Sequence, residues 1–406
     1  MLKGFKTKLN LNNQQKTLAA KHAGVARHAW NWGLEICLKA LENKEKLPTA
    51  IDLHKRLVAE VKSVNPWYYE VSKWSPQESL RNLDKAFKRL FKVPGTGRPK
   101  FKKKNTKDSF YLAGDIKISG DKIKIPNFGW VKCHEILPTV QPKSVTITKR
   151  ANDWYIAFKY ELEPKQTPKI RQRIGVDIGI SALATCSDGV VFPNRKAYPL
   201  AKRKLAHLQR SVSRKQKGSK NRAKANLKVA RLHRKISNIR NDALHKLTTW
   251  LAKNHSEIVI ENLNVSGMLR NHRLASAIAD CGFYEFKRQL QYKSSCYGAT
   301  IIIVDRFYPS SQLCSCCHHR QKMPLSKRVF KCGNCGIEIG RDLNASINLE
   351  HWHPDIDYPK TISSMGLACG ESNQLNGAAV KDSMKQEENI KLSWFQLSLF
   401  DLSKFK

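Results

Sequence analysis

Ile174-Gly175-Val176-Asp177-Ile178-Gly179-Ile180 sets one carboxylate in the middle of an otherwise apolar, strand-like run. An ionised acid in such a setting is costly unless something compensates it. Downstream, the stretches from Ala182 to Cys186 and from Val190 to Phe192 flank Asp188-Gly189, the composition of an antiparallel hairpin. A second apolar strand, Ile258-Val259-Ile260, ends on Glu261, and Asp342 opens the helix-like segment Leu343-Asn344-Ala345-Ser346-Ile347. Alone, each acid reads as a surface group or a cap, and Asp342 as a first-turn acid favoured by the helix dipole.

Together the three acids carry more. Strand acid, hairpin, strand-end acid and final-helix acid is the order in which an RNase-H-like sheet brings metal ligands to one edge. Hard carboxylate oxygens suit Mg²⁺ or Mn²⁺. Two such ions roughly 4 Å apart can activate a water and stabilise the leaving oxygen in phosphodiester hydrolysis. Asp177, Glu261 and Asp342 are therefore the candidate catalytic metal ligands.

The charge balance points to a polyanionic partner. Lys and Arg number 73 against 33 Asp and Glu, a net charge of +40 over 406 residues. So large an excess destabilises a compact chain by self-repulsion unless a polyanion occupies the surface, and phosphate contacts release counterions. No long apolar span or lipidation signal supports a membrane alternative. The start, Met1-Leu2-Lys3-Gly4-Phe5-Lys6, lacks the apolar run of a secretory signal. The 11 cysteines, odd in number and partly scattered through core-like segments, fit a reducing cytoplasm, where clustered cysteines read first as metal ligands.

Length suits two or three domains. Lys3 to Asn10 alternates like a strand, and Gln14 to about Lys92 has helical spacing, with Trp30, Trp32, Leu34 and Leu38 on one helix and Leu80, Leu83, Phe87 and Leu90 on another. Val93 to Pro99 breaks that run, and the basic stretch Lys100 to Lys104 follows. Short strands are expected at Ile116 to Ile118, Lys122 to Ile125, Ser144 to Thr148 and Trp154 to Tyr160, a small β module, expected to be a barrel, that the first strand joins. Pro164 to Arg173 reads as a polar linker. Between Asp188 and Asp242 there is no carboxylate, while Arg203, Arg210, Arg214, Lys215, Arg222, Arg231 and Arg234 lie on helical segments. A solvated helix normally mixes both signs, so this stretch is expected to track a nucleic-acid backbone. Residues 351–406 are polar and irregular and are expected to be largely disordered.

Cys314-x-x-Cys317 and Cys332-x-x-Cys335 supply two halves of a tetrahedral thiolate shell that matches zinc. Cys316 is left outside the set, with its register against Cys317 open, and His318 or His319 is an alternative fourth ligand. The segment is too small for a core of its own, so bound metal would supply its folding energy.

At these residues the chain resembles TnpB, the insertion-sequence-encoded relative of type V CRISPR effector nucleases. The resemblance rests on Gly175-Val176-Asp177-Ile178-Gly179, Ile260-Glu261-Asn262-Leu263, Asp280, Tyr308-Pro309-Ser310-Ser311-Gln312-x-Cys314-x-x-Cys317, Cys332-x-x-Cys335-Gly336 and Arg341-Asp342-x-Asn344-Ala345. It is dense over residues 171–350 and looser upstream. It implies an α/β and α+β multidomain protein. The wedge-like β-barrel would be residues 1–10 with 106–170, and the helical recognition lobe residues 11–105. The RuvC-like nuclease domain would be residues 171–350, with a zinc ribbon at 310–338. It further implies a guide RNA transcribed from the element's end, pairing with double-stranded target DNA beside a short motif read by the protein. Matched residue by residue, the nuclease acids fall on Asp177, Glu261 and Asp342 and the zinc ligands on Cys314, Cys317, Cys332 and Cys335. Lys73 and Gln77, a helical turn apart, are candidates for reading the motif and read equally as ordinary exposed polar residues. His318 departs from the family, which often has Gly after the second cysteine. The expected activity is RNA-guided, metal-dependent cutting of double-stranded DNA. A nuclease-silent guided DNA-binding regulator and a DNA transposase are the alternatives.

Overall fold

Alternating apolar and basic residues make the amino terminus a strand, and the chain returns to it twice. In the computed structural model, residues 1–354 are described except Asn105, Lys165 and Leu325; the expected disorder of the tail falls outside the described residues. The chain divides into two units, Met1–Leu162 and Glu163–Lys406.

In the first unit, β1 (Leu2–Asn10) leads into α1 (Asn13–Glu42), α2 (Ala50–Arg56), a π turn at Leu57–Lys62, a 3₁₀ turn at Pro66–Tyr68 and α3 (Trp74–Lys92). Six strands follow: β2 (Ser109–Ala113), β3 (Lys117–Ser119), β4 (Lys122–Ile125), β5 (Gly129–Cys133), β6 (Ser144–Arg150) and β7 (Asp153–Glu161). They join β1 in a seven-stranded sheet of order β2-β6-β7-β1-β5-β4-β3. The first strand does join the β module, running antiparallel to β7 from Leu2↔Glu161 to Lys8↔Tyr155 and then to β5 at Leu9↔Cys133.

α1 starts sharply because Asn12 and Gln15 cap each other, the Gln15 N–H donating to Asn12 Oδ1 at 2.8 Å and the Asn12 N–H to Gln15 Oε1 at 3.1 Å. Its small residues Ala19, Ala23 and Ala26 face the sheet core, while Val25, Ala29 and Leu34 face a separate helical core with Leu53, Leu57, Leu80 and Leu83. Trp30, on the expected helix, also anchors the basic stretch. Its indole N–H donates to the Lys100 carbonyl at 3.0 Å, and Lys102 Nζ lies 3.7 Å from its ring centroid. Asn31 bonds both backbone groups of Lys102.

The second unit begins with β8 (Arg171–Asp177), which takes up the end of the expected linker, and continues with β9 (Ala182–Cys186) and β10 (Val191–Pro193). Asp177 is thus the last residue of its strand, not a middle one. The two basic helices α4 (Ala197–Ser213) and α5 (Lys220–Asn254) precede β11 (His255–Glu261). After α6 (Val265–Met268), α7 (Ala275–Cys281) and α8 (Phe283–Tyr297) come β12 (Thr300–Val304), β13 (Val329–Lys331), β14 (Glu338–Gly340) and α9 (Arg341–His351).

Five of these strands form a sheet of order β10-β9-β8-β11-β12, antiparallel from β10 to β8 and parallel from β8 to β12. The two-residue period of a strand sorts its side chains onto two faces. Ile174, Val176, Ile258 and Ile260 pack with Leu244, Leu247, Leu251, Phe286 and Leu290 from α5 and α8. Val259 and Val304 pack with Leu349 of α9 on the other face. Gly175 points at α9, and a Cβ there would lie 1.9 Å from the Ser346 carbonyl oxygen and 2.5 Å from the Glu350 nitrogen. Arg171 pairs with Glu350 at 2.6 Å, and Arg173 donates to the Trp352 carbonyl, fastening α9 along β8. Asp280 ties three helices, accepting from the Tyr198 N–H at 3.0 Å and from Arg240 at 3.1 Å.

Candidate active site

Asp177 closes β8, Glu261 closes the adjacent parallel strand β11, and Asp342 sits in the first turn of α9, which packs on β8. Parallel pairing brings Val176 opposite Ile260, so the two strand-end acids follow side by side. All three residues are half-buried. Burial first, and then the charges of Glu261 and Asp342, push the Asp177 carboxyl up to about 8, with the Arg341 guanidinium pulling the other way. Burial also raises Glu261, against a lowering hydrogen bond from the Ser310 hydroxyl. Arg341 Nη2 lies 3.3 Å from Asp342 Oδ1.

A carboxyl whose proton affinity two neighbouring carboxylates raise calls for a cation if it is to be ionised beside them. In metal-free protein the Asp177 proton is retained on folding but released by the unfolded chain above its ordinary value of 3.8. The stabilisation this gives is full below about 4 and is lost as pH rises through about 8. Thermal unfolding in chelator should therefore show a fall in stability over that window that Asp177→Asn removes; parallel pH profiles for the two proteins would contradict it.

A cavity of about 410 Å³ opens beside Glu261, lined in part by Ile178, Asn264, Tyr284, Lys287 and Gln291. Tyr284 is exposed, and Lys287 donates to Asn262 Oδ1 at 3.3 Å.

Cys314, Cys317, Cys332 and Cys335 each place a sulfur within 4.8 Å of the other three, and among the described residues no other set of three or more His, Cys, Asp or Glu does so. Neither His318 nor His319 joins them, and the carboxylate trio is spread more widely than this one-ion spacing. Cys314 Sγ lies 3.6 Å from Cys335 Sγ, and Cys317 Sγ 3.6 Å from Cys332 Sγ. Burial raises Cys314; at Cys317 burial is outweighed by hydrogen bonds from the His319 backbone, Asn334 and neighbouring sulfurs, which bring it to about 7. Four soft sulfurs at this spacing could hold zinc. The two knuckles are alike in backbone: His318 (φ 55°) and Gly336 (φ 73°) each follow the second cysteine of a pair in the left-handed region, so the His318 departure keeps the turn. β13 and β14 pair antiparallel beside the cluster, and β14 runs directly into α9.

The basic candidates fall into different settings. Arg203, Arg210, Arg214 and Arg231 are exposed on or beside α4 and α5. Lys215 and Arg234 are half-buried. Arg222 instead braces the turn between the two helices, donating to the Lys215 carbonyl at 2.7 Å. Lys73 is exposed at the start of α3 and Gln77 half-buried within it, the Gln77 N–H reaching the Lys73 carbonyl at 3.4 Å. Residues to which the sequence assigned no role also shape the site. Ser310 holds Glu261, while Asn344 and Asn348 hold the turn that carries Ser310; Ser310 and Asn344 stand within the quoted motifs, and nothing in their spacing marks these contacts.

Among the described residues no helix is long and apolar enough to cross a membrane. Residues 157–272 match a family model described as a probable transposase, OrfB of IS605. Residues 283–349, which include the cysteine cluster, match a Cas12f1-like TNB domain, and residues 1–46 a helix-turn-helix domain. Here residues 1–46 form β1 and one long helix. The chain is 34% identical to "Putative RNA-guided DNA endonuclease InsQ" of Escherichia coli K12, across 92% of this chain and 95% of that protein. It is 32% identical to a Streptomyces pristinaespiralis protein of the same description, across 86% and 88%. The solved Cas12f1–sgRNA–target DNA complex is a distant likeness, 14% identical with a TM-score of 0.49, covering 88% of this chain and 99% of that one. With near-complete coverage of relatives at this identity, a fold of mixed α/β content and a Cas12f1-like TNB domain around its cysteines, the chain belongs to the OrfB/TnpB family of IS605-type insertion elements.

Proposed function

We propose that the protein is an RNA-guided, metal-dependent endonuclease that cuts double-stranded DNA beside a short motif, encoded by a transposable element. The observation that carries the chemistry is the meeting of Asp177, Glu261 and Asp342, seen in the charges that raise Asp177. The antiparallel-then-parallel sheet, with an acid ending each of two adjacent central strands, supports an RNase-H-like RuvC domain over residues 171–350. In this reading residues 1–10 with 106–170 are the wedge-like barrel, residues 11–105 the recognition lobe, and the four cysteines a structural zinc ribbon.

The donor set fits hard divalent ions: carboxylate oxygens, half-buried and mutually repelling without a cation. Asp177, Glu261 and Asp342 would hold Mg²⁺ or Mn²⁺, which when bound supplies an activated water and charge for the leaving oxygen. The chain's own work is to align the strand and to bring the three carboxylates together, with Glu261 oriented by the Ser310 hydroxyl. Tyr284 and Lys287 line the cavity beside Glu261, where a displaced single strand could stack and meet positive charge. The net charge of +40 supports guide RNA and DNA as partners. Base pairing would choose the target while the protein reads the adjacent motif and backbone shape.

The test is purification of the ribonucleoprotein, sequencing of its RNA and incubation with a plasmid matching that guide. Guide-dependent cutting that requires Mg²⁺ is expected. A protein that co-purifies with no discrete RNA, or that joins DNA ends without one, would favour the transposase reading; guided binding without cutting would favour the silent regulator.

A further inference from the structure

We propose that Ser310 is a positioning residue for Glu261, and that the turn at residues 309–313 sets the acid site from the zinc knuckle. The inference rests on the acid-site reading above.

Ser310 is 4% exposed and its hydroxyl donates to Glu261 Oε1. No hydrogen bond to Glu261 Oε2 is present among the described residues, so one carboxylate oxygen is fixed and the other is left for a ligand. Ser310 is itself held at its backbone. Asn348 Nδ2 donates to the Ser310 carbonyl at 2.8 Å and to the Leu313 carbonyl at 2.7 Å. Asn344 Nδ2 donates to the same Leu313 carbonyl at 2.6 Å, and its Oδ1 accepts from the Ser315 N–H at 2.9 Å.

Asn344 and Asn348 are one helical turn apart and fully buried on α9, the helix that carries Asp342. The turn closes on itself through Gln312 N–H and Leu313 N–H to the Pro309 carbonyl, at 2.8 and 3.1 Å. Cys314 is the next residue. One five-residue turn therefore touches the acid that ends β11, the helix bearing Asp342 and the first zinc cysteine. Buried side-chain amides spent on backbone carbonyls are stiff contacts, costly to leave unmade. They make the Glu261 orientation depend on the local fold that the cysteine cluster closes.

Partners of ligating carboxylates typically change metal affinity or activity by about 10–100-fold when removed. The test measures Mn²⁺ binding by electron paramagnetic resonance on the whole ribonucleoprotein, beside cleavage rate, zinc content and melting temperature. Ser310→Ala is expected to weaken Mn²⁺ binding by about 10–100-fold, with zinc retained and Ser311→Ala unchanged. Ser310→Thr and Ser310→Val share a shape and differ by the hydroxyl, so a packing defect would affect both alike. Thr should bind Mn²⁺ markedly better than Val. Equal binding by Thr and Val, or wild-type binding by Ser310→Ala, would overturn the proposal. Glu261→Gln separates the two failures. If it binds Mn²⁺ like wild type, the acid-site reading falls and this inference with it. If it binds weakly while Ser310→Ala binds normally, only this inference falls.

Discussion

Asp177→Ala is expected to abolish guided DNA cleavage, by on the order of 10³-fold or more, while the ribonucleoprotein still binds its target. A loss of that size is about 4 kcal/mol of transition-state stabilisation, reasonable for removing the central ligand of a divalent site. Asp177 is the acid on which the other two act: burial and the charges of Glu261 and Asp342 bring it to about 8. Above about pH 8, where the metal-free carboxyl is ionised, its removal relieves repulsion, so there the variant should melt no lower than wild type in chelator. Lost cleavage with preserved stability and target binding is the signature; cleavage within about tenfold of wild type would remove Asp177 from the chemistry.

Gly175→Ala should combine lost activity with lost stability. The added Cβ would overlap the Ser346 carbonyl and the Glu350 nitrogen of α9, and backbone cannot turn aside as a side-chain tip can. Overpacking of this kind costs about 1–3 kcal/mol and occasionally more. Relief requires α9 to move off β8, and Asp342 moves with it. A displacement near 1 Å can cost about 10²-fold in rate, so cleavage should drop by at least that much even at temperatures where the variant is folded. Urea unfolding paired with cleavage rates checks both halves; a variant of wild-type stability and rate would mean that the helix does not need this contact.

The parts of the fold that depend on period were legible. Ile174 and Val176 alternate with Gly175, and that pattern alone predicts a strand with two distinct faces. The hairpin after Asp177, the strand ending on Glu261 and the helix opening at Asp342 were readable for the same reason. What periodicity cannot say is which element packs against which face, so nothing in the pattern marks Gly175 as the place where α9 rests. Nor could it say that Arg222 spends its guanidinium on the turn between α4 and α5, since that depends on the turn's shape rather than on charge. The role of Trp30 as an anchor is not legible either, because only the folded chain brings Lys100 and Lys102 back to it. The cysteine set was legible from spacing, whereas the Ser310 turn was not, because its partners Glu261, Asn344 and Asn348 lie 34 to 49 residues away in sequence.

The most direct measurement is anomalous diffraction at the manganese edge from crystals of the protein grown with Mn²⁺. Manganese is predicted between the carboxylates of Asp177, Glu261 and Asp342, and is predicted to disappear in Asp177→Asn. Manganese bound elsewhere, or these three carboxylates standing apart without it, would contradict the account.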